Sequence, residues 1–316
     1  MGESVIYNAI DLARFLNKNY GALISFDYLS KNTGLDKDSL KSLLQEVCAI
    51  GLNLAIKDSS VKVLSKIEFL DKDYIYKNIK GRGRIEVLDC IDSTNNELMR
   101  RAENLVSGDC LLAEYQTAGR GRRENRWKGA LGQQIMLSFS WEFSSLEELK
   151  FLSLAVGVEI ASALSELGFS DIKVKWPNDL YLDDGKLGGV LVETMPCGNK
   201  VIAIIGVGLN FLDIKSADID RKVSYLNIRN LNISRNDIAI LIINALHKAC
   251  NNSAEKQFHK YIEDLSRLDY LLNKSLSVDT GSEVIYGTAK GISEDGELIL
   301  EDISLNLHYI KAGHII

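Results

Sequence analysis

Residues 172–195 read IKVKWPNDLYLDDGKLGGVLVETM, and the way this stretch folds decides most of the rest. It reads as a β-hairpin. Pro177, one of two prolines in the chain, biases Trp176 toward extended geometry and removes a ladder donor, so a bend or sheet edge is expected there. The polar Asn178-Asp179 pair at such a bend is placed to face a ligand. After an Asp184-Gly185 turn, Lys186 opens an apolar strand as an isolated cation, and Gly188-Gly189 would let a ligand lie flat on it. With a two-residue turn Asp183 opposes Lys186, and Asp179 lies about 13 Å along the same face. A ligand spanning both groups therefore follows from the spacing, whereas a direct Asp179–Lys186 contact does not.

Upstream, QTAGRGRRENRWKG (116–129) carries Arg120, Arg122, Arg123, Arg126 and Lys128 against Glu124 alone. Gly119 and Gly121 let the backbone approach a ligand, and an arginine fork suits phosphate at about 1.5–3 kcal/mol per charged hydrogen bond. Such a loop is expected to be mobile when empty, since like charges repel and nothing apolar anchors it before Trp127. Charge and glycine alone leave two readings open: a clamp for a phosphorylated ligand, or a solvated basic loop or RNA contact. GRGR also occurs at 81–84, where it leads into a strand with no partner motif. That first run reads as a solvated connection or a supplementary charge patch.

Around these motifs strands and helices mix without regular alternation: RIEVLDCI, a helix from Thr94, DCLLAEYQ, QIMLSFSWEF, a helix from about 146 to 167, KVIAIIGVGLNF, and a helix after a Ser234/Asp237 capping box. A mixed α+β sheet domain over 65–272 is expected, with 65–84 as a connecting segment. Residues 273–316 are short strands and turns and read as a small β-barrel. Residues 1–64 read as a helix, a helix–turn–helix and a hairpin turning at Asp58-Ser59-Ser60, the winged helix–turn–helix pattern. The third helix has Leu40, Leu43, Leu44 and Val47 at helical spacing and exposes Lys37, Lys41 and Gln45 as candidate DNA contacts. Seven Lys/Arg balance seven Asp/Glu in 1–64, a poor equipment for phosphate contacts, so a pure packing module competes with DNA binding.

Bulk properties exclude several classes. At 316 residues, 46% hydrophobic and 25% charged, the chain is globular and long enough for two or three domains. A net charge of −6 argues against wholesale nucleic-acid coating. Five scattered cysteines without a CxxC pair point to reduced thiols in the cytoplasm, and to neither a disulfide frame nor a zinc site. No signal peptide or membrane-spanning run is read. The four histidines all lie in the last quarter, so a mechanism should run without them.

STN (93–95), GRGRR (119–123) with Trp127, KWPNDLYL (175–182), KLGGVLVE (186–193) and GVGLN (206–210) occur in the order and spacing of biotin protein ligases. The chain resembles the bifunctional bacterial type over essentially its whole length. The resemblance implies an α+β multidomain fold: a winged helix–turn–helix, a catalytic domain like those of class II aminoacyl-tRNA synthetases and biotin ligases, and an SH3-like barrel. It implies that Ser93, Thr94, Asn95, Gln116, Gly119, Arg120, Arg122, Lys186, Gly188, Gly189 and Gly206 surround biotin. Arg120, Arg122, Arg123, Trp127, Asn178, Asp179, Lys186 and Asn210 would hold ATP and the adenylate, with Mg²⁺ near Asp179. Lys186, Arg122 and Asp179 would be the catalytic set. The departures are Glu124-Asn125-Arg126, where relatives often have a glycine and further basic residues, and 211–227, which lacks a recognisable lid signature.

The implied reaction is ATP-dependent ligation of biotin to a lysine of biotin carboxyl carrier protein through biotinyl-5′-AMP, with adenylate-dependent repression at a biotin operator by a homodimer. The alternatives are a lipoate ligase, a ligase whose N-terminal domain no longer binds DNA, and a biotin-sensing repressor without ligase activity.

Overall fold

The computed structural model describes residues 8–123, 125–213, 222–226 and 233–316. Local signals set the N-terminal unit. Helix α1 (Ala9–Lys18) starts where Asn8 Oδ1 accepts from the Ile10 and Asp11 amides, and the first residues of the expected stripe, 5–7, lie outside the described chain. A two-residue strand β1 (Ile24–Ser25) leads into α2 (Phe26–Thr33), capped by Ser25 and closed by Gly34 in the left-handed region. Asp36 caps α3 (Lys37–Ala49), which buries Leu40, Leu44 and Val47. Strands β2 (Leu54–Lys57) and β3 (Ser60–Val63) turn at Asp58-Ser59, so Ser60 already belongs to the ladder, and β1 adds to β3 in a three-stranded antiparallel sheet.

Its core of Leu12, Leu16, Leu29, Leu40, Leu44 and Val61 is completed by Ile67 and by Leu131 of a distant loop. Each fully buried side chain of this size contributes roughly 1.5–3 kcal/mol. The Leu131 amide donates to Ile50 O at 2.7 Å, and the Arg14 guanidinium lies 4.0 Å over the Phe69 ring.

The segment 65–84 is more than a connection. It holds α4 (Lys72–Asn78), whose Ile75 is buried in the central core. The first GRGR run keeps its arginines exposed, but its backbone is packed in place. Gly83 has φ 138°, and a Cβ there would meet the Gly108 carbonyl; Gly81 lies against the His247 ring. Arg84 donates its backbone N–H to Asp109 Oδ1 at 2.9 Å and its Nε to Oδ2 at 3.0 Å. The run therefore has a partner in Asp109 that its sequence does not reveal, while its arginines stay exposed.

Strands β4 (Ile85–Ile91), β5 (Cys110–Gln116) and β6 (Gln134–Phe143) begin the central sheet, with α5 (Thr94–Arg100) between the first two. The next helix, α6 (Leu152–Glu166), begins later than expected because 146–149 forms a single 3₁₀ turn. Residues 172–195 form not one hairpin but three strands, β7 (Ile172–Lys175), β8 (Asp179–Leu182) and β9 (Gly185–Cys197), with a cis Trp176–Pro177 peptide between the first two. Strand β10 (Lys200–Asn210) completes a seven-stranded sheet ordered β4-β5-β6-β10-β9-β8-β7. Only β4–β5 is parallel, so the sheet is mixed, and β7 is its edge, as Pro177 predicts.

Helix α7 (Arg235–Ala254) has the expected Ser234–Asp237 capping box and packs on α6; α8 (Ile262–Leu268) follows. At the start of α7, Arg235 is wholly buried. It pairs with the equally buried Glu114 at 2.5 Å and donates to the Gln134 and Glu68 carbonyls, bolting 68–71 to the sheet. A C-terminal antiparallel sheet follows: β11 (Ser275–Asp279), β12 (Val284–Ile292), β13 (Leu298–Glu301), β14 (Leu307–Ile310) and β15 (His314–Ile315), ordered β14-β13-β12-β11-β15. Its Val278, Leu298 and Leu300 join the central core, and Trp176 Nε1 donates to Gly296 O at 3.1 Å. Among the described residues no helix is long and apolar enough to cross a membrane.

Candidate active site

A cavity of about 580 Å³ opens above β5, β6, β9 and β10, a size suited to a small-molecule ligand. Its floor begins at the start of α5. Ser93 caps that helix, the Thr94 amide donates to Gln116 Oε1 at 2.7 Å, and Ser138 Oγ donates to Thr94 Oγ1 at 2.7 Å. The single Ser138 hydroxyl proton is shared between Thr94 Oγ1 and Asn95 Oδ1, while Asn95 Nδ2 donates to Glu193 Oε2 at 2.9 Å. Gly206 faces Asn95 so closely that a Cβ would enter the amide. Buried polar groups paired in this way keep one orientation, since a broken bond would leave a costly orphan.

The arginine–glycine loop forms one wall. No apolar anchor is expected before Trp127, and the contacts that hold the loop are polar. Arg120 pairs with Glu193 at 2.7 Å and donates to Asn96 Oδ1 at 2.5 Å, and Arg122 donates to Asn178 Oδ1 at 3.1 Å. Trp127 N donates to Gly119 O and Gly121 N to Asn125 O, closing the loop on itself. Burial, with Arg123 beside it, pushes the Arg122 pKa below its ordinary value, yet a guanidinium stays charged at any working pH. The Trp127 indole lies on Gly208, with Nε1 buried and lacking a hydrogen-bond partner among the described residues.

The opposite wall carries the predicted cation. Lys186 Nζ contacts Asp179 Oδ1 at 2.6 Å, both side chains 20% exposed. Two features overturn the expected separation. The turn lies at Asp183-Asp184, not Asp184-Gly185, so Lys186 pairs with Tyr181. A bulge at Leu187 then sets Asp179 opposite Gly189. Lysine and aspartate end two residues apart on one face, within reach of a four-carbon stem. Asn210 Nδ2 donates to Lys186 O at 3.2 Å and its Oδ1 accepts from Gln134 Nε2 at 2.8 Å, closing the far end.

The lining thus brings together Ser93, Thr94, Asn95, Gln116, Arg120, Arg122, Arg123, Trp127, Asn178, Asp179, Lys186, Gly189, Gly206 and Asn210. Two predicted residues fall elsewhere. Gly188 lies behind the wall against the Gly208 carbonyl, and Gly119 lines a second cavity beneath the loop. Lys37, Lys41 and Gln45 form an exposed row on α3, outside this lining. The lid region 211–227 is described only in part, since 214–221 and 227 lie outside the described residues, as does Glu124. Val223, Asn125 and Arg126 do line the cavity.

Sequence reading missed Gln134, Gly208 and the Gly313–Ile315 end of the C-terminal sheet. Gln134 could have been found from its cross-strand position opposite Asn210. The C-terminal contribution carries no local signal. Among the described lining residues Asp179 is the one carboxylate, set against Arg120, Arg122, Arg123, Arg126, Lys128, Lys175 and Lys186. Such a cavity favours a polyanionic ligand.

Residues 87–210 match the Biotin/lipoate A/B protein ligase family. The chain is 32% identical over 89% of its length, and 89% of the relative's, to the bifunctional ligase/repressor BirA of Escherichia coli. It is 27% identical to the biotin–[acetyl-CoA-carboxylase] ligase of Mycobacterium tuberculosis, covering 78% of this chain and 95% of that one. A solved structure of the biotin protein ligase from Aquifex aeolicus in complex with biotin and ATP superposes with TM-score 0.63 at 25% identity, over 73% of this chain and 97% of that one. With a curated relative above 30% identity along nearly the whole length and the family's motifs gathered in one cavity, the chain belongs to the biotin protein ligase family of enzymes.

Proposed function

We propose that this protein joins biotin to a lysine of biotin carboxyl carrier protein through biotinyl-5′-AMP. The observation that carries the reading is the meeting, in one cavity, of a hydrogen-bonded polar floor with Lys186 and the loop arginines. Ser93, Thr94, Asn95 and Gln116 suit the polar edge of biotin, with Gly189 and Gly206 giving it room. Trp127 and Asn210 suit the nucleotide end. Biotin's carboxylate, with an ordinary pKa of about 4, needs no base. One of its oxygens attacks the α-phosphorus of ATP, the bond to pyrophosphate breaks, and the mixed anhydride remains. Lys186 and the Arg122 guanidinium neutralise the charge that develops, and alignment does the rest. The neutral amine of the carrier lysine then attacks the anhydride carbonyl and AMP leaves. Asp179, holding Lys186, is placed to orient that amine.

Mg²⁺ would supply further neutralisation at the phosphates. No group of three or more His, Cys, Asp or Glu converges among the described residues, and Asp179 stands alone at the cavity. That donor set fits an ion brought in mainly by phosphate oxygens and water, not one caged by protein.

The N-terminal unit supports a second activity. Its capped α2–α3 pair and three-stranded sheet fit a winged helix–turn–helix over 1–64, and the relatives of E. coli and Bacillus subtilis are bifunctional ligase/repressors. The row Lys37, Lys41 and Gln45 would face an operator, with the adenylate promoting a homodimer. The competing reading, ligase only, rests on the neutral charge of 1–64. The remaining units would be the catalytic domain over 65–272, like the class II aminoacyl-tRNA synthetases, and an SH3-like barrel over 273–316, in a cytoplasmic protein.

The deciding experiment is mass spectrometry of a carrier-protein fragment incubated with biotin and Mg·ATP, beside a Lys186→Ala control. One biotin on a single lysine, greatly slowed in the control, is expected. Biotin binding without transfer would replace this reading with that of a sensor. Adenylate-dependent, salt-sensitive binding to a palindromic operator would exclude the ligase-only reading.

A further inference from the structure

We infer that Glu193 is the latch holding the arginine–glycine loop to the cavity floor, a positioning residue for the adenylate stage; this rests on the ligation reading above. Glu193 divides its carboxylate between two parts of the site. Oε1 accepts from Arg120 Nη2 at 2.7 Å, and Oε2 accepts from Asn95 Nδ2 at 2.9 Å. It stands on β9 opposite Ile204 of β10, within the rigid sheet. Asn95 is itself buried and fixed by Ser138 and by the closeness of Gly206. The chain Ser138–Asn95–Glu193–Arg120 therefore runs unbroken from the sheet to the loop.

The second cavity, about 550 Å³ beneath the loop, supplies an independent observation. Arg120, Arg122, Arg123 and Arg126 line it, and among the described residues Glu193 is its one carboxylate. Four cations in one loop repel. An anionic ligand would neutralise them from the main cavity, and Glu193 does so from beneath. Removing the Glu193 charge leaves the loop to the ligand and to the neutral hydrogen-bond partners Asn96 and Asn178. The loss belongs in the lifetime of the closed complex, since Glu193 does not line the main cavity and touches no reacting group there.

The test uses the full chain and Glu193→Gln, with three readings: single-turnover adenylate formation, adenylate release on dilution, and ligand-free trypsin cleavage mapped by mass spectrometry. Formation is expected within about threefold of the parent. Loss of this partly exposed charge-assisted pair is expected to make release about tenfold faster. Cleavage after Arg120, Arg122 and Arg123 should rise while the rest of the chain is cut as before. Release as slow as in the parent overturns the latch. So does cleavage that rises throughout the chain together with a lowered melting temperature, which marks a general structural defect. A parent that forms no adenylate defeats the ligation reading instead, and the latch then stands or falls on the loop-specific cleavage.

Discussion

Gly81-Arg82-Gly83-Arg84 and Gly119-Arg120-Gly121-Arg122 share four residues, yet the fold spends their donors differently. In the first run Arg84 meets Asp109, a carboxylate whose side chain is only 4% exposed, and also donates to Asn104 O. Asp109 accepts from Val106 N as well, so the pair ties two chain segments together. In the second run, Arg120 and Arg122 reach across a cavity to Glu193 and Asn178. A guanidinium that meets a buried carboxylate away from any ligand cavity is a structural clamp. One that overhangs a cavity beside further cations is poised for an anion. The difference lies in what each run is packed against, since the four residues are the same.

That contrast predicts stability effects for the first run and ligand effects for the second. The largest is expected for Gly83→Ala. A Cβ at φ 138° against the Gly108 carbonyl should cost about 3 kcal/mol or more, read by denaturant unfolding, with turnover per folded molecule unchanged. A substitution tolerated without loss would erase the contrast. Arg122→Gly should leave adenylation detectable while the intermediate escapes about a hundredfold faster, with unfolding nearly unmoved. Adenylate retained as tightly as in the parent would contradict it.

Asp109→Ala comes next. It strips acceptors from the Arg84 and Val106 amides, and a loss of about 1–3 kcal/mol is expected, since Arg84 itself can still reach water. A matching fall in ligand affinity would show the first run to be chemical after all. The smallest effect is one of pH. His247, packed against Gly81, Phe139 and Trp141, has its pKa lowered from 6.5 by burial. The unfolded chain then binds the proton more readily than the folded one. Stability is full above about 6.5 and declines as pH falls below it. Titrated melting should show this decline in the parent and lose it in His247→Leu.

Much of this is legible in the sequence alone. The mixed sheet, the Ser234–Asp237 cap and the Gly34 stop follow from short-range rules of periodicity and capping. The Trp176-Pro177 bend at a sheet edge follows from a missing backbone donor. The Asp179–Lys186 pair does not. One shifted turn and one bulged residue change which side chains share a face, and neither has an unambiguous local signature. The wholly buried Arg235–Glu114 pair is equally hidden, because its partners stand more than a hundred residues apart and look like surface charges in the sequence.

Residue identity and local spacing were enough to single out an arginine–glycine loop, a KWPND bend and an isolated lysine as candidates for one ligand, because those chemistries are carried by the side chains themselves; the fold gathers them around one cavity. Which cation meets which carboxylate, and which of two identical runs faces a cavity, was decided by long-range packing. A guanidinium acquires its role from the acceptors that the folded chain brings within about 3 Å, and most of those lie far away in sequence.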